Sequence, residues 1–309
     1  MQPMLWNIIL LALGFFILVR GADAFVDGAS ALAQRFKIPQ IIIGLTVVAM
    51  GTSAPEAAVS ISSVLHGSGG VAVGNVIGSN IANILLILGV TAMITPLFVQ
   101  KKTIQYEIPF VTFITIVLMW FGAKYGAVTR LASGVFIAFF VVFLSYLYLS
   151  AKQHIVQTVQ TTKMSAGKII IFLILGLAAL VFGSNLTVNS ATNLAALLHV
   201  PDRIIGLTLV AFGTSLPELV TCIVAARKKQ TDLIIGNIIG SNIFNILFVL
   251  GITGLIHPIS FEYSFLIDAA ISVVITTFLW IITIYEQSLN RKTGILFLTG
   301  YILYLVYLI

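Results

Sequence analysis

Two six-residue stretches hold the residue types in this chain best suited to chemistry: "GTSAPE" at 51–56 and "GTSLPE" at 213–218. One copy supplies Thr52, Ser53 and Glu56, the other Thr214, Ser215 and Glu218. Each also carries a proline, which has no N–H to donate and whose ring crowds the carbonyl four residues back. Pro55 is therefore expected to free the carbonyl of Gly51, and Pro217 that of Gly213. The residue before a proline is pushed out of the α region, so Ala54 and Leu216 are expected to be non-helical, with a half-helix starting at each proline. Carbonyls, hydroxyls and carboxylates are all oxygen donors, and neither stretch contains His or Cys. Oxygen-only shells suit hard cations such as Na⁺, Ca²⁺ and Mg²⁺, not zinc or copper.

A second pair of stretches follows each of these, "GNVIGSNIANI" at 74–84 and "GNIIGSNIFNI" at 236–246. Ser79 and Asn83 are four residues apart and share a helix face, as do Ser241 and Asn245. These four are expected to line the same site. Asn75, Asn80, Asn237 and Asn242 read instead as hydrogen-bonding glue between helices, and Gly74, Gly78, Gly236 and Gly240 as points of close helix approach.

The elements that must position these groups are membrane helices. The chain has 309 residues, 59% of them hydrophobic and 8% charged, with a mean hydropathy of +1.12. Soluble domains carry about 25% charged residues, so no polar shell is available for water. Apolar runs close to the ~20 residues that cross a bilayer recur end to end. Ten spans are expected, near 3–20, 40–65, 71–95, 105–123, 128–150, 168–186, 203–225, 233–256, 264–285 and 293–308. Alternating barrel strands are not evident. Leu5 to Val19 lacks a basic leader and a clean cleavage site, and reads as the first span. The single cysteine, Cys222, excludes an internal disulfide. Asp23 and Asp27 close the first span and, having Asn185 and Asn189 as repeat partners, are not expected in a symmetric site. His66, His154, His199 and His257 fall at span ends or loops and read as structural.

Lys and Arg cluster on alternate loops. Thirteen, including Lys101, Lys102 and the "RKK" run at 227–229, fall on one side; Lys124, Arg130 and Arg203 fall on the other. Positive loops stay cytoplasmic, which places both termini outside. The excess of basic residues thus marks topology and does not call for a nucleic-acid partner.

The motif pairs share one offset. Residues 43–56 and 205–218 agree at eleven of fourteen positions and 74–84 and 236–246 at nine of eleven, all 162 residues apart. Such agreement without a gap indicates an internal duplication: a five-span half over 1–150, a short cytoplasmic linker over 151–167, and a second five-span half over 168–309. An odd number of spans inverts the second half. Inverted-repeat transporters bind substrate near the midplane on interrupted helices, so the second and seventh helices are expected to break there. The expected fold is thus an all-α membrane protein of ten transmembrane helices in two inverted five-helix repeats.

With both motifs duplicated, the chain resembles the calcium/cation antiporter superfamily and is most similar to prokaryotic sodium/calcium exchangers. The resemblance covers the whole chain. It implies exchange of Na⁺ for Ca²⁺ by alternating access, electrogenic if three sodium ions exchange for one calcium, in the cell membrane. It also implies a site built from Thr52, Ser53, Glu56, Ser79 and Asn83 with carbonyls near Ala49, and from Thr214, Ser215, Glu218, Ser241 and Asn245 with carbonyls near Ala211. Na⁺ and Ca²⁺ would bind as substrates, with no cofactor and no obligate protein partner. Asn245 stands where potassium-dependent relatives carry Asp, and the GNxxE-type motif of the proton-coupled branch is missing. A Ca²⁺/H⁺ antiporter is the alternative and a cation channel less favoured. A membrane enzyme fits worst, since no HExxH, nucleophile or nucleotide motif is present.

Overall fold

Inside a bilayer no water is available to backbone N–H and C=O groups, so a chain this apolar must close its hydrogen bonds within helices. A computed structural model describes residues 2–153, 164–198 and 211–308 and is helical almost throughout. The helices are α1 (Gln2–Phe36), α2 (Gln40–Thr52), α3 (Ala54–Leu65), α4 (Gly69–Ile94), α5 (Thr103–Tyr125), α6 (Arg130–Gln153), α7 (Ala166–Leu197), α8 (Ala211–Thr214), α9 (Leu216–Arg227), α10 (Thr231–Ile256), α11 (Tyr263–Glu286) and α12 (Arg291–Leu308). Among the described residues seven helices are long and apolar enough to cross a membrane, or eight if the bent pair α2–α3 counts as one span. The protein is a multi-pass membrane protein. The expected linker residues 154–163, with His154 and Lys163, lie outside the described residues, as do His199, Pro201, Arg203 and the start of the seventh span.

α10 forms the centre. Its most apolar 18-residue window is 94% buried, against 28% for α1 and for α7. Ile234, Ile238, Ile243 and Leu247 join Ile41, Val48, Ile84 and Leu88 in one core. The contact of α10 with α2 is backbone to backbone: a Cβ on Gly236 would lie 2.5 Å from the Ile41 carbonyl oxygen. Gly74 and Gly78 do not show that contact among the described residues; their expected counterpart, near 203–207, is not among them. α1 and α7 pack through a second glycine contact. Gly14 and Gly21 recur 162 residues on as Gly176 and Gly183, and a Cβ on Gly183 would sit 2.6 Å from the Leu18 nitrogen.

α1 and α7 run well past their expected ends. Asp23 and Asp27 therefore lie within α1, not at its end, one turn apart on one face. Lys228 explains how the helix carries them, since its Nζ lies 2.6 Å from a carboxylate oxygen of each. Ser30 adds a hydrogen bond to Gln230, 2.8 Å. The counterparts at the opposite end are uncharged or weakly basic: Asn185, Asn189 and His66, all exposed.

Four two-residue strands join the loops: β1 (Leu97–Phe98) pairs with β4 (Ser288–Leu289), and β2 (Ala127–Val128) with β3 (Ile259–Ser260), both antiparallel. Each sheet ties a loop of one half to a loop of the other.

The α1–α7 contact gives a stability prediction. Gly183→Leu must push the two backbones apart, and overpacking of this kind costs about 1–3 kcal/mol or more; the thermal midpoint in detergent should fall sharply. Gly134→Ala, on exposed α6 where a Cβ meets nothing within 4 Å, should leave the midpoint unchanged or raise it, by up to about 1 kcal/mol.

Candidate cation-binding site

The interruption falls at Ser53 and Ser215, one residue before the expected place. Ser53 has φ −83°, ψ 8° and Ser215 φ −85°, ψ 4°. Ala54 and Leu216 are helical, each opening the next segment just before its proline. The turn at each serine leaves the proline in the first turn of the next helix, where its missing N–H is one left unpaired anyway. α2 and α3 meet at 45°. The carbonyl that Pro217 frees is taken up: Ser184 Oγ of α7 donates to Gly213 O at 2.9 Å. Position 22, the counterpart of Ser184, is alanine, so Gly51 has no such donor from α1.

At these breaks the two halves exchange hydrogen bonds. Ser53 Oγ donates to Glu218 Oε1 at 2.9 Å, and Ser215 Oγ donates to Glu56 Oε1 at 3.3 Å. Behind them, Ser241 Oγ lies 2.9 Å from Ser53 Oγ, and Ser79 Oγ lies 3.2 Å from Ser215 Oγ. Each serine of a break thus bridges the glutamate and the α4 or α10 serine, and every bridge crosses between halves. Ser53, Glu56, Ser79, Asn83, Ser215, Glu218, Ser241 and Asn245 are all buried. Thr52 is buried and donates toward Val48 O and Asn237 Oδ1, both 3.1 Å; Thr214 is half-buried and 3.3 Å from Asn75 Oδ1. The Ala49 carbonyl accepts the Ser53 N–H at 3.0 Å, with Ser241 Oγ 3.5 Å away. Ala211 is the first described residue of α8, one turn before the break.

The asparagines read as glue do more than join helices. Asn80 Nδ2 donates to Asn242 O at 3.2 Å and Asn242 Nδ2 to Asn80 O at 3.3 Å, a reciprocal pair between α4 and α10. That pairing leaves their side-chain oxygens free to accept from the site asparagines: Asn83 Nδ2 to Asn242 Oδ1 at 2.9 Å, and Asn245 Nδ2 to Asn80 Oδ1 at 3.1 Å. An amide has one donor end and one acceptor end. With the NH₂ end of each amide held by its neighbour, Asn83 and Asn245 are left to present oxygen to the site. A local widening starts at the same two residues: the N–H of Leu88 bonds Asn83 O, and that of Leu250 bonds Asn245 O, five residues apart instead of four. Such bulges occur often at functional sites. No sequence signal pointed to them or to the role of Asn80 and Asn242.

What remains is a set of acceptors without donors. Glu56 Oε2, Glu218 Oε2, Asn83 Oδ1 and Asn245 Oδ1 are buried and have no hydrogen-bond partner. Buried polar oxygens are normally satisfied, and each exception costs about 1–3 kcal/mol or more when charged. Among the described residues the ion pairs are those of Lys228 with Asp23 and Asp27, away from this cluster. Four unpaired oxygens, two of them on carboxylates, with only hydroxyls and carbonyls around them, match the donor set of a hard cation.

With this geometry in view, comparison with known proteins is informative. The family described as sodium/calcium exchanger protein matches residues 6–149 and 168–309. CaxA of Alkalimonas amylolytica is 41% identical over 263 residues, 82% of each chain. The sodium/calcium exchanger MaX1 of Methanosarcina acetivorans is 32% identical over 98% of each chain. Among solved structures, the sodium-calcium exchanger NCX_Mj soaked with zero Na⁺ and Ca²⁺ superposes with a TM-score of 0.87 at 32% identity, covering 99% of this chain and all of that one.

If Asn80 and Asn242 hold the site open by fixing amide orientation, Asn242→Ala should destabilise the protein by about 1–3 kcal/mol, the cost of orphaning buried partners. A thermal midpoint equal to that of the wild type would remove this role.

Proposed function

We propose that this chain, which belongs to the sodium/calcium exchanger family and is a transporter and not an enzyme, exchanges Na⁺ for Ca²⁺ across the cell membrane. The observation that carries the proposal is the set of four unpaired oxygens, on Glu56, Glu218, Asn83 and Asn245. Thr52, Ser53, Ser79, Thr214, Ser215 and Ser241, with the carbonyls near Ala49 and Ala211, complete the ligand shell. Na⁺ and Ca²⁺ have similar radii, so overlapping sets of these oxygens serve either ion. Mg²⁺ demands a tight octahedron and dehydrates reluctantly, which disfavours it in a cage pinned to four separate helix segments.

The same charges make transport an exchange. A carboxylate at the bilayer centre costs about 2.5 kcal/mol on the most lenient scale and far more on others. Two empty carboxylates therefore oppose passage through a closed state, and bound cations remove that opposition. Sodium or calcium can cross; the empty site cannot cross readily. Three sodium ions against one calcium would move one net charge, worth about 2.3 kcal/mol per 100 mV.

The ten-span inverted architecture, with halves over 1–150 and 168–309 joined by 151–167, is supported by a parity argument. Paired strands lie on one side of the membrane, so the chain between them must cross an even number of times. Between β2 and β3 it runs through α6, α7, α8–α9 and α10; between β1 and β4 it adds α5 and α11. Both passages are even if α8–α9 crosses once and odd if it turns back. The Ser30–Gln230 hydrogen bond extends the same logic to α2–α3. Each broken pair is then a single span interrupted within the membrane, and the two motifs enter from opposite sides. β1 and β4 are flanked by Lys101, Lys102, Arg291 and Lys292, and because basic loops tend to stay cytoplasmic this supports a cytoplasmic side there and both termini outside.

In proteoliposomes, outward sodium gradients should drive ⁴⁵Ca²⁺ uptake, and Glu56→Gln or Glu218→Gln should reduce it at least a hundredfold. Uptake driven by a pH gradient without sodium would replace the proposal with Ca²⁺/H⁺ antiport, and full activity in both variants would remove the site. An inside-positive potential should speed sodium-driven calcium uptake if the 3:1 exchange holds, because three charges leave as two enter and one net positive charge moves outward; no voltage response would contradict electrogenic exchange.

A further inference from the structure

Outside this cluster, one more buried carboxylate among the described residues has an oxygen without a partner. Glu107, on the second turn of α5, is 5% exposed. Tyr146 of α6 donates to its Oε1 at 2.6 Å, and its Oε2 is unsatisfied. The tyrosine accounts for half of the carboxylate. Something else must account for the rest.

Glu107 lines a cavity of about 210 Å³ between α5 and α6, shared with Tyr106, Phe110, Val142, Phe143 and Tyr146. Four of those five neighbours are aromatic. Their rings form a connected group: Phe110 to Phe143 at 5.7 Å, Phe143 to Tyr146 at 6.4 Å and Tyr146 to Tyr106 at 6.3 Å. Tyr106, Val142 and Tyr146 also border a second cavity, about 480 Å³, whose wall includes Lys102, Ser145 and Ser150. The two share a wall: an acidic aromatic pocket lies beside a space with one cation and two hydroxyls.

We propose that this crevice binds the headgroup of an aminophospholipid of the phosphatidylethanolamine type, with its ammonium against Glu107 and its phosphate toward Lys102. Aromatic faces attract organic cations, and a primary ammonium brings three donors, one of which suits the unsatisfied Oε2. A bare metal ion fits less well, because Ca²⁺ takes six to eight oxygens and this pocket offers one carboxylate and two phenols, one of which already donates to it. The lipid phase is the source because the mouth opens sideways. Val142 and Leu149 on its wall are 62% and 56% exposed on a helix long and apolar enough to cross a membrane, and Lys102 precedes α5 at its membrane-entry end, where tyrosine and lysine anchor at the interface. The inference rests on the membrane placement of α5 and α6 but not on which ions are exchanged, so it stands or falls apart from the transport assignment.

Native mass spectrometry of detergent-purified protein, stripped of lipid and then offered phosphatidylethanolamine, phosphatidylcholine or phosphatidylglycerol, tests it. The wild type should retain phosphatidylethanolamine about tenfold over phosphatidylglycerol, with phosphatidylcholine between them because its quaternary ammonium keeps the aromatic contact but has no N–H for Glu107. Glu107→Gln should abolish the preference, and Phe143→Leu, which keeps apolar volume without the ring face, should weaken it. Equal retention of all three lipids by the wild type, or an unchanged preference in a folded Glu107→Gln protein, would overturn the proposal. Thermal protection by millimolar free ethanolamine equal to that from the lipid would overturn the lipid source.

Discussion

Two buried carboxylates, each half satisfied, govern the arrangement of everything around them. Glu56 and Glu218 each receive one hydroxyl hydrogen bond, and in both cases the donor belongs to the opposite half of the chain. Neither half can build its own anion site. The breaks at Ser53 and Ser215 place each hydroxyl on the opposite half's glutamate instead of on the carbonyl one turn back, where Ser145 puts its own with Val141. Interrupting the helix turns the hydroxyl outward to its partner. The proline then lets the chain resume a helix without leaving an N–H stranded in lipid.

The asparagine network serves the same end. A carboxylate can reorient, but an amide that turns over would offer hydrogen atoms where oxygen is needed. The reciprocal Asn80–Asn242 pair prevents that by engaging both NH₂ groups of Asn83 and Asn245. Positions 75 and 237 do comparable work for the threonines, and here the halves diverge: Asn75 rests on Ser60 Oγ, Asn237 on Cys222 Sγ, its counterpart 162 residues on. A thiol is a weaker acceptor than a hydroxyl, so the two halves of the network are not equal in strength.

Much of this was legible in the sequence because duplication and cost were both visible there. A glutamate beside a proline in an apolar run is expensive, and meeting the same expense twice at one offset implies a common purpose. The oxygens of Glu56, Glu218, Asn83 and Asn245 stand out on those grounds. What was not legible depends on pairing across long separations. That Ser53 serves Glu218 and not the nearer Glu56 is fixed by how the halves pack. Ala54 and Leu216 are helical because the break comes one residue earlier, at the serines, and leaves each proline in a first turn. The length of α1 was hidden because Asp23 and Asp27 read as a span end until Lys228, two hundred residues away, neutralises them. Glu107 carried no repeat signal and was passed over.

The small strands deserve a mechanical reading. β1–β4 and β2–β3 sew the loops of α4, α5, α6, α10, α11 and α12 together at both faces of the membrane. Among the described residues α1 and α7 carry no such stitch. They lie against each other along glycines whose backbones nearly touch, and with so little of either enclosed they meet lipid over most of their length. The molecule is thus divided mechanically: shearing the frame breaks strand pairs, whereas parting the rod pair from it breaks side-chain ties such as those of Lys228 and Gln230 but not a single strand.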